Sequence, residues 1–300
     1  MISAVIVTYY PCLDNLDNLV RSLASQCDFV IIVDNTPSLE EKYSSFENLY
    51  GKNFIYISLG DNLGIAKAQN IGITKALELK SEFIAVFDQD SSIDSNFISA
   101  LLAVYTKLNL EKKKVAAVGP AFVDVKSNIV SPAIQYRGAK VKKINIDKEK
   151  EYTPADHIIS SGSIFHVSAM DNIGFMDEQL FIDYVDLEWG MRAKRKGYSC
   201  YIANLVEMKH SIGDKSVKIP FINRYANIHS DFRKYFIMRN AFYLAFYSDL
   251  EFFWRFHQVI KNLKYIVFLL LYVNPRFKNL KIFFIALRDA LLKKMYKGSM

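Results

Sequence analysis

The chain has 300 residues, 51% of them hydrophobic and 23% charged, so its composition is that of a folded globular protein and excludes a disordered one. Its net charge is +7, but ten Lys/Arg and only two acids lie in the last fifty residues, so the basic character belongs to that segment. Three scattered cysteines without a CxxC pair argue against a disulfide framework or a zinc knuckle and favour a reducing compartment. The start "MISAVIVTYY" passes directly into an apolar run, so no secretory signal is expected.

The first 120 residues alternate between short apolar runs and segments with helical spacing. Strands are predicted at 2–7, 29–33, 54–58, 83–87 and 115–118, and helices at 14–25, from 39, at 65–79 and at 97–108. Fully apolar strands that alternate with helices predict an α/β, Rossmann-like fold whose mostly parallel central sheet is covered on both faces. Ligands of such sheets bind at the carboxyl ends of the strands. Polar residues follow four of those ends, at 8–9, 34–35, 61–62 and 88–90.

The second half of the chain changes character. Short strands are predicted between 121 and 160, a helix around 183–196, two short strands up to 210, and a helix at 224–248. Beyond 252 the pattern is that of basic amphipathic helices, with one apolar stripe at 252, 256, 259, 263, 266 and 270 and another at 280, 283, 284, 287 and 291. The longest uncharged apolar run is Tyr265–Val273, which is far below the ~20 residues that span a bilayer.

These C-terminal helices are expected to lie on an anionic membrane surface, because basic amphipathic helices that cannot span a bilayer bind there. The alternatives are docking of the apolar stripe on the core, an interface in a homo-oligomer, and contact with nucleic acid. No nucleic-acid-binding motif is present, so nucleic acid is not an expected partner.

The segment "FDQDS" carries the strongest chemical signal. Asp88 and Asp90 follow a buried strand, where two carboxylates repel each other unless something compensates their charge. A divalent cation, Mg²⁺ or Mn²⁺, would do so, since such ions combine one or two carboxylates with phosphate oxygens of a substrate. The sequence contains no GxGxxG after the first strand and no Walker A loop, which argues against a nicotinamide, flavin or P-loop site.

Other polar groups stand where they can complete a nucleotide site. Asp34 can accept a hydrogen bond from a ribose hydroxyl or a base NH, and Asn62, Gly64 and Asn70 flank or lie in the helix after the third strand. Asp186 and Glu188 are two residues apart on one helix, so one can face a cleft while the other binds Arg192. Arg233 and Arg239 suit bidentate phosphate contacts.

In chain order, these residues resemble glycosyltransferase family 2, which has a GT-A fold. The resemblance rests on "AVIVTYYP", Asp34, "NLGIAKAQNIGI", "FDQDS", "GFMDEQLFIDYVDLEWGMRAKRKGY" and His210. "FDQDS" and "FIDYVDLEW" are most similar to bacterial rhamnosyltransferases that use dTDP-L-rhamnose. The resemblance implies a GT-A catalytic domain at 1–240, with a nucleotide-binding half at 1–120 and an acceptor-binding half at 121–240, followed by a basic helical extension at 241–300.

The resemblance also implies roles for individual residues. Asp186 would be the catalytic base, with Asp183 as the alternative, and Asp90 and His210 would bind the metal. The nucleotide-sugar would be bound by Thr8, Tyr10, Asp34, Asn62, Gly64, Asn70, Asp88, Gln89, Arg233 and Arg239. The acceptor would be bound by Ser161, Gly162, Asp183 and Trp189. The expected reaction is inverting transfer of a sugar from dTDP-L-rhamnose to a glycan or lipid-linked acceptor of a cell-surface polysaccharide, on the cytoplasmic face of the cell membrane.

Two other functions are compatible with parts of the sequence. "IAVFDQDSS" also resembles the nucleophile motif of haloacid-dehalogenase-like phosphatases, in which Asp88 and Asp90 would act on phosphate esters. That motif usually lies close to the N-terminus, whereas here the strand is the fourth. A non-catalytic carbohydrate-binding protein is the second alternative.

Overall fold

The computed structural model describes residues 1–37, 51–124, 129–210, 215–219 and 224–299, and at 210, 215–219 and 224–227 it describes the backbone alone. The helix predicted from residue 39 lies outside these ranges. The strands are β1 (Ile2–Thr8), β2 (Phe29–Asp34), β3 (Phe54–Ser58), β4 (Phe83–Asp88), β5 (Val115–Asp124), β6 (Ala133–Arg137), β7 (Lys140–Ile144), β8 (Tyr152–Ala155), β9 (Ser163–His166), β10 (Ser199–His210), β11 (Lys215–Ile219) and β12 (Arg224–Ile228). The helices are α1 (Leu13–Ala24), α2 (Ile65–Glu78), α3 (Phe97–Leu110), α4 (Val167–Ile173), α5 (Val185–Arg195), α6 (Asp231–Tyr247), α7 (Phe252–Tyr272) and α8 (Arg276–Leu291).

The central sheet has the strand order β3-β2-β1-β4-β9-β5-β10-β8. The first four strands are parallel, as the alternation of strands and helices predicts, and β10 is parallel to β5. The short strand β9 enters between β4 and β5 and runs antiparallel to both. The second half of the sheet therefore contains both parallel and antiparallel strands, because β9, which comes from far along the chain, occupies the position next to β4.

The parallel strands are buried on both faces, which explains their uninterrupted apolar runs. Val5 and Val7 of β1 belong to the core beneath α2, whereas Ala4 and Ile6 belong to the core beneath α1 and α3. Side chains of successive residues in a strand point to opposite faces, so one run of apolar residues serves both layers. The predicted α/β fold with a helix-flanked sheet is confirmed.

The helix predicted at 224–248 begins later than the sequence pattern indicates. Residues 224–228 form β12, which pairs antiparallel with β11, and the helix α6 begins at Asp231. The Oγ atom of Ser230 accepts a hydrogen bond from the backbone N–H of Arg233, so Ser230 caps the helix there. Residues 224–228 therefore pair as a strand with β11, although the spacing of their apolar residues favours a helix.

The three C-terminal helices share a core of their own. Phe236, Phe242, Ile266, Phe283 and neighbouring residues form it, and α6 joins this core to the main domain. None of the helices in the described ranges is long and apolar enough to cross a bilayer. The predicted boundary at residue 240 lies inside α6, so the division into domains stays a prediction.

The face of α7 that is buried differs from its predicted apolar stripe. Phe252, Phe256 and Leu263 are 71%, 56% and 45% exposed. The polar residues Gln258 and Asn262 are buried instead, because Gln258 accepts a hydrogen bond from the Tyr184 hydroxyl and Asn262 donates one to the carbonyl of Met238. Three of the six predicted stripe residues therefore stay at the surface, whereas Val259, Ile266 and Leu270 pack into or against the C-terminal core.

Candidate active site

The carboxyl ends of the parallel strands lie side by side, so the polar residues that follow them share one edge of the sheet. Thr8 is in register with Asp34, and Asp34 with Ser58. The buried Asp34 carboxylate accepts hydrogen bonds from the Thr8 hydroxyl (3.0 Å), from the backbone N–H and hydroxyl of Thr36 (3.1 and 2.6 Å) and from the Tyr56 hydroxyl (3.0 Å). This network fixes Asp34 at the floor of the crevice.

The loop before α2 lies beside this floor. The Asn62 Oδ1 atom accepts hydrogen bonds from the Asn35 side chain (2.9 Å) and from the backbone N–H of Gly64 (3.1 Å). Gly64 has φ = +89°, and a Cβ atom there would lie 2.6 Å from the Phe181 ring, so only glycine permits this approach. The Asn70 side chain does not contribute to this loop, because its amide forms hydrogen bonds with the backbone of Met176 and with the Glu178 carboxylate.

The turn that carries Asp88 and Asp90 is held from two sides. The backbone N–H of Asp88 donates to the Ser161 hydroxyl (2.9 Å), which also lies 3.0 Å from the Ser91 hydroxyl. The Gln89 side-chain amide accepts from the N–H of Tyr9 (2.6 Å) and donates to its carbonyl (3.1 Å). Ser161 and Gln89 thus position the turn, although the sequence assigns them to acceptor and nucleotide binding.

The carboxylates of this region perturb one another, as two acids at the end of a buried strand should. Burial raises the pKa of Asp88 to about 6, with repulsion from Asp90 adding to it and attraction from Arg233 opposing it. Burial likewise raises the pKa of Asp186 to about 6, with repulsion from Asp88 and Asp183 adding to it. Asp88 and Asp183 therefore lie close enough to Asp186 to disfavour its ionised form.

Asp183 and Asp186 differ in their partners. The Asp183 carboxylate accepts two hydrogen bonds from the Arg233 guanidinium, at 2.5 and 3.3 Å. The Asp186 carboxylate accepts the backbone N–H of Leu187 at 2.8 Å, and no cationic partner contacts it within the described part of the chain. Of these two residues, only Asp186 therefore lacks a cationic partner in the described ranges.

The turn before α5 is unusual and is held by residues that sequence reasoning did not assign to it. Phe181, Asp183 and Tyr184 all have positive φ, a conformation that costs free energy in non-glycine residues. The Asn240 amide donates to the carbonyls of Leu180, Ile182 and Asp183 at 2.8–2.9 Å. The signal in the sequence is a single asparagine within the apolar helix "FIMRNAFYLAF".

Arg239 does not reach the crevice. It is fully buried, and its guanidinium donates to the carbonyls of Tyr296 (2.6 Å), Leu180 (3.0 Å) and Gln179 (3.3 Å). It lies 4.7 Å from the centroid of the Phe236 ring. The structure thus gives Arg239 contacts to backbone carbonyls in place of the predicted phosphate.

Two further predicted residues lie in the framework of the site. Trp189 is 2% exposed and donates from Nε1 to the carbonyl of Gly174. Gly162 has φ = +73°, and a Cβ atom there would lie 2.5 Å from the Met208 sulfur. Glu188 forms an ion pair with Arg192 at 2.8 Å, which confirms that Asp186 and Glu188 point in different directions.

A cleft of about 520 Å³ opens beside Asp186. Its walls combine the start of α5 with side chains of α6 and α7, and they are Asp183, Tyr184, Asp186, Leu187, His229, Ile237, Lys261, Asn262, Lys264, Tyr265 and Phe268. Sequence reasoning missed the α7 residues among these walls, because they lie some eighty residues from Asp186 and their basic character was assigned to a membrane surface.

Comparison with known proteins agrees with this geometry. Residues 3–174 match the family described as "Glycosyl transferase family 2". The chain is 41% identical to the "dTDP-rhamnosyl transferase RfbF" of Shigella flexneri over 247 residues, which cover 81% of this chain and 79% of that protein. The chain belongs to glycosyl transferase family 2. It is therefore a glycosyltransferase that uses a nucleotide-sugar, as predicted, and the phosphatase and non-catalytic alternatives are set aside.

Solved structures show the same fold for this family 2 glycosyltransferase. S. aureus TarS (residues 1–349) matches with a TM-score of 0.54 at 18% identity, over 96% of this chain and 80% of that one. GalNAc-T7, crystallised with UDP, GalNAc and Mn²⁺, matches with a TM-score of 0.55 at 14% identity, over 70% of this chain but only 44% of that one. These likenesses show that the family 2 chain has the GT-A architecture.

The residues of the family 2 glycosyltransferase fit a divalent cation that a substrate helps to bind. Burial is the main cause of the raised pKa of Asp88 and repulsion from Asp90 adds to it, so a cation beside both carboxylates would favour the ionised form of Asp88. No group of three or more His, Cys, Asp or Glu side chains that could hold a metal occurs in the described ranges. Such a site suits an ion with one or two carboxylates whose other ligands are diphosphate oxygens. The side chain of His210, the other predicted ligand, lies outside the described residues.

Proposed function

We propose that this glycosyltransferase transfers L-rhamnose from dTDP-L-rhamnose, with inversion, to a hydroxyl of a glycan or lipid-linked acceptor in cell-surface polysaccharide biosynthesis. The observation that carries the proposal is the buried, unneutralised Asp186 carboxylate beside the Asp88 turn, in a chain 41% identical to a dTDP-rhamnosyl transferase. The donor sugar, the acceptor and the role of each residue are parts of the proposal.

In the proposed reaction, Asp186 removes the proton from the acceptor hydroxyl while that oxygen attacks the anomeric carbon. The bond from the anomeric carbon to the diphosphate oxygen breaks, and dTDP leaves with its electron pair. Asp183 holds the Arg233 guanidinium near Asp88, where it can stabilise the charge that develops on the diphosphate. A divalent cation bound at Asp88 and Asp90 would supply Lewis-acid stabilisation of the same charge.

The nucleotide would occupy the strand ends. Thr8, Asp34 and Asn62 line the proposed base and ribose site, with the exposed Tyr10 ring at its mouth. Tyr10 has φ = +46°, and its backbone N–H donates to the Thr36 hydroxyl (3.0 Å). The Asp34 network thus extends to the residue that carries the ring.

A thermal-shift screen tests the donor. dTDP-L-rhamnose with Mn²⁺ at about 100 times its dissociation constant should stabilise the protein by ~2.7 kcal/mol and raise Tm by roughly 5 °C. UDP-glucose, UDP-galactose and GDP-mannose at equal concentration should shift Tm by less than half of that, because the nucleotide site discriminates between bases and sugars. A larger, metal-dependent shift with any of these three would contradict the rhamnose assignment.

We further propose that the enzyme binds the inner face of the cell membrane through α7 and its neighbour α8. Phe256, Val267 and Leu271 are 56%, 54% and 58% exposed along α7, and Phe277 of α8 is 88% exposed. The same C-terminal segment carries lysines that are close in sequence to these exposed apolar side chains. An exposed apolar stripe beside basic residues is the pattern of a helix that lies in an anionic bilayer surface.

Cosedimentation with vesicles tests this attachment. The double variant Phe256→Asp/Val267→Asp should bind vesicles that contain about 30% phosphatidylglycerol roughly tenfold more weakly than the wild type, since it places two charges in the apolar surface. Leu110→Asp is the matched control, because Leu110 is 79% exposed at the end of α3. Equal binding by all three proteins would show that α7 does not attach the enzyme to membranes.

A further inference from the structure

The cleft beside Asp186 has a chemical character that the donor does not explain. Asp183 and Asp186 are among its walls, and no residue of the strand ends that form the proposed nucleotide site lines it. Its remaining walls are largely apolar, with Leu187, Ile237 and Phe268 among them. A nucleotide diphosphate would gain little from such walls, whereas a ligand with a hydrocarbon part would be desolvated by them.

Two lysines of α7 introduce positive charge into this apolar setting. Lys261 and Lys264 both line the cleft, and neither forms an ion pair with an acid in the described part of the chain. The Lys261 ammonium lies 5.5 Å from the centroid of the Tyr184 ring, and Tyr184 lines the cleft together with Asp186. The Lys261 side chain as a whole is exposed, but desolvation of its ammonium group lowers its pKa.

A third group on the same helix lacks a partner. The Tyr265 hydroxyl is buried and has no hydrogen-bond partner in the described ranges. A buried hydroxyl without a partner is unfavourable, so this donor indicates that a polar ligand completes it. Lys261, Lys264 and Tyr265 lie within one turn of α7, and together they offer two cations and one hydroxyl donor, which is a set that suits phosphate oxygens.

The apolar side of the cleft continues to the surface. Phe268 is four residues after Lys264, and the exposed Leu271 is seven residues after it, so these three side chains lie on one side of α7. Seven residues of helix span about 10 Å. A hydrocarbon chain attached to a phosphate at Lys264 could therefore pass Phe268 and reach the exposed apolar stripe at Leu271.

We propose that Lys261, Lys264 and Tyr265 bind the phosphate of a lipid-phosphate-linked acceptor whose hydroxyl faces Asp186, and that Phe268 and Leu271 contact its lipid. The inference rests on the proposed function, and it adds that the phosphate lies near the accepting sugar. It makes α7 a wall of the acceptor site as well as a surface helix. Long acceptors with a distant phosphate should therefore be poorer substrates than short ones.

Binding of geranyl diphosphate to the full chain tests the site. In calorimetry without divalent cations, the double variant Lys261→Gln/Lys264→Gln should bind this probe about 10–100-fold more weakly than wild type, because two charged contacts are lost. Phe268→Ser should weaken geranyl diphosphate but leave inorganic diphosphate unchanged. The control Lys281→Gln changes a surface lysine of α8 outside the cleft and should have no effect.

The same variants distinguish binding of an acceptor phosphate from binding of the donor diphosphate and from binding of bilayer headgroups. The affinity for dTDP with Mg²⁺ should stay within about twofold of wild type in the double lysine variant, since the donor site lies elsewhere. A parallel loss of dTDP affinity would overturn the proposal, and so would unchanged binding of geranyl diphosphate or a failure of the wild type to bind it. Loss of vesicle binding with retained geranyl diphosphate affinity would assign the lysines to bilayer headgroups. None of these probes carries a donor sugar. If the geranyl diphosphate test fails, the dTDP-L-rhamnose assignment is therefore unaffected, and if the donor assignment fails, the result for the phosphate site still holds.

Discussion

Asp186→Asn is expected to lower the rate of sugar transfer by about 10²–10⁴-fold, because the amide cannot accept the proton of the acceptor hydroxyl. Donor binding should persist, since Asp88, Asp90 and Arg233 remain. Initial rates at saturating donor and acceptor, with a donor-induced thermal shift measured in parallel, would show this. A rate within about fivefold of wild type would transfer the role of base to another group, and Asp183 would be the first to test.

The same substitution should make the protein more stable at neutral pH. Because the folded state raises the pKa of Asp186 from 3.8 to about 6, this group stabilises the fold below pH 3.8 and loses that contribution as the pH rises through 6. At about pH 7.5 the buried anion is therefore unfavourable, and Asp186→Asn should add ~1–3 kcal/mol to the free energy of unfolding in urea. The wild-type kcat/KM should fall as the pH drops below about 6. Asp171→Asn, an exposed carboxylate of α4, should change neither quantity.

Arg239→Met is expected to destabilise the fold by about 3–5 kcal/mol, although Arg239 does not contact the proposed substrates. The substitution removes the donor of hydrogen bonds to the carbonyls of Gln179, Leu180 and Tyr296 and leaves these buried acceptors without it. Leu180 and Gln179 precede the turn that carries Asp183, so activity should fall with stability. Urea unfolding followed by circular dichroism would measure the change.

Arg276→Ala is the matched control for that substitution. Arg276 is an exposed arginine at the start of α8, so its removal should change the free energy of unfolding by less than about 0.5 kcal/mol. If Arg239→Met destabilised the protein no more than Arg276→Ala, the guanidinium would not be what holds the segment before Asp183. If Arg239→Met kept its stability but lost donor binding, the result would instead favour the predicted contact of Arg239 with the donor phosphate.

The parts of the fold that follow from local patterns could be predicted, and those that depend on distant contacts could not. The apolar runs of β1 to β4 identify strands buried on both faces, and the two-residue separation of Asp186 and Glu188 predicts that only one faces the cleft. The four residues of β9 carry no comparable signal. Their position between β4 and β5 is decided by pairing across some eighty residues of chain.

The site shows the same division. Asp88 is predicted from its place after a buried strand, Asp183 and Asp186 from the resemblance to the family and Arg233 from its suitability for phosphate, and in the structure these four residues influence one another electrostatically or by hydrogen bonds. It cannot tell whether an arginine in α6 faces a crevice or a set of carbonyls, so Arg233 and Arg239 look alike in the sequence although the structure separates them. The contribution of Lys261 and Tyr265 depends on where α7 returns to the domain, which no local pattern encodes.

The antiparallel strand β9 has a consequence for any attempt to isolate the donor-binding half as a fragment. A chain cut after Asp124 would retain every strand that contributes to the proposed nucleotide site, yet it would lose the only segment that joins β4 to β5 in the described sheet. One edge of β4 and both edges of β5 would then be bare, because β10 is lost together with β9, and such edges recruit strands from other molecules. Extension through His166 would restore β9 and keep the Ser161 hydroxyl beside Asp88, but the far edge of β5 is covered only when β10 is also included.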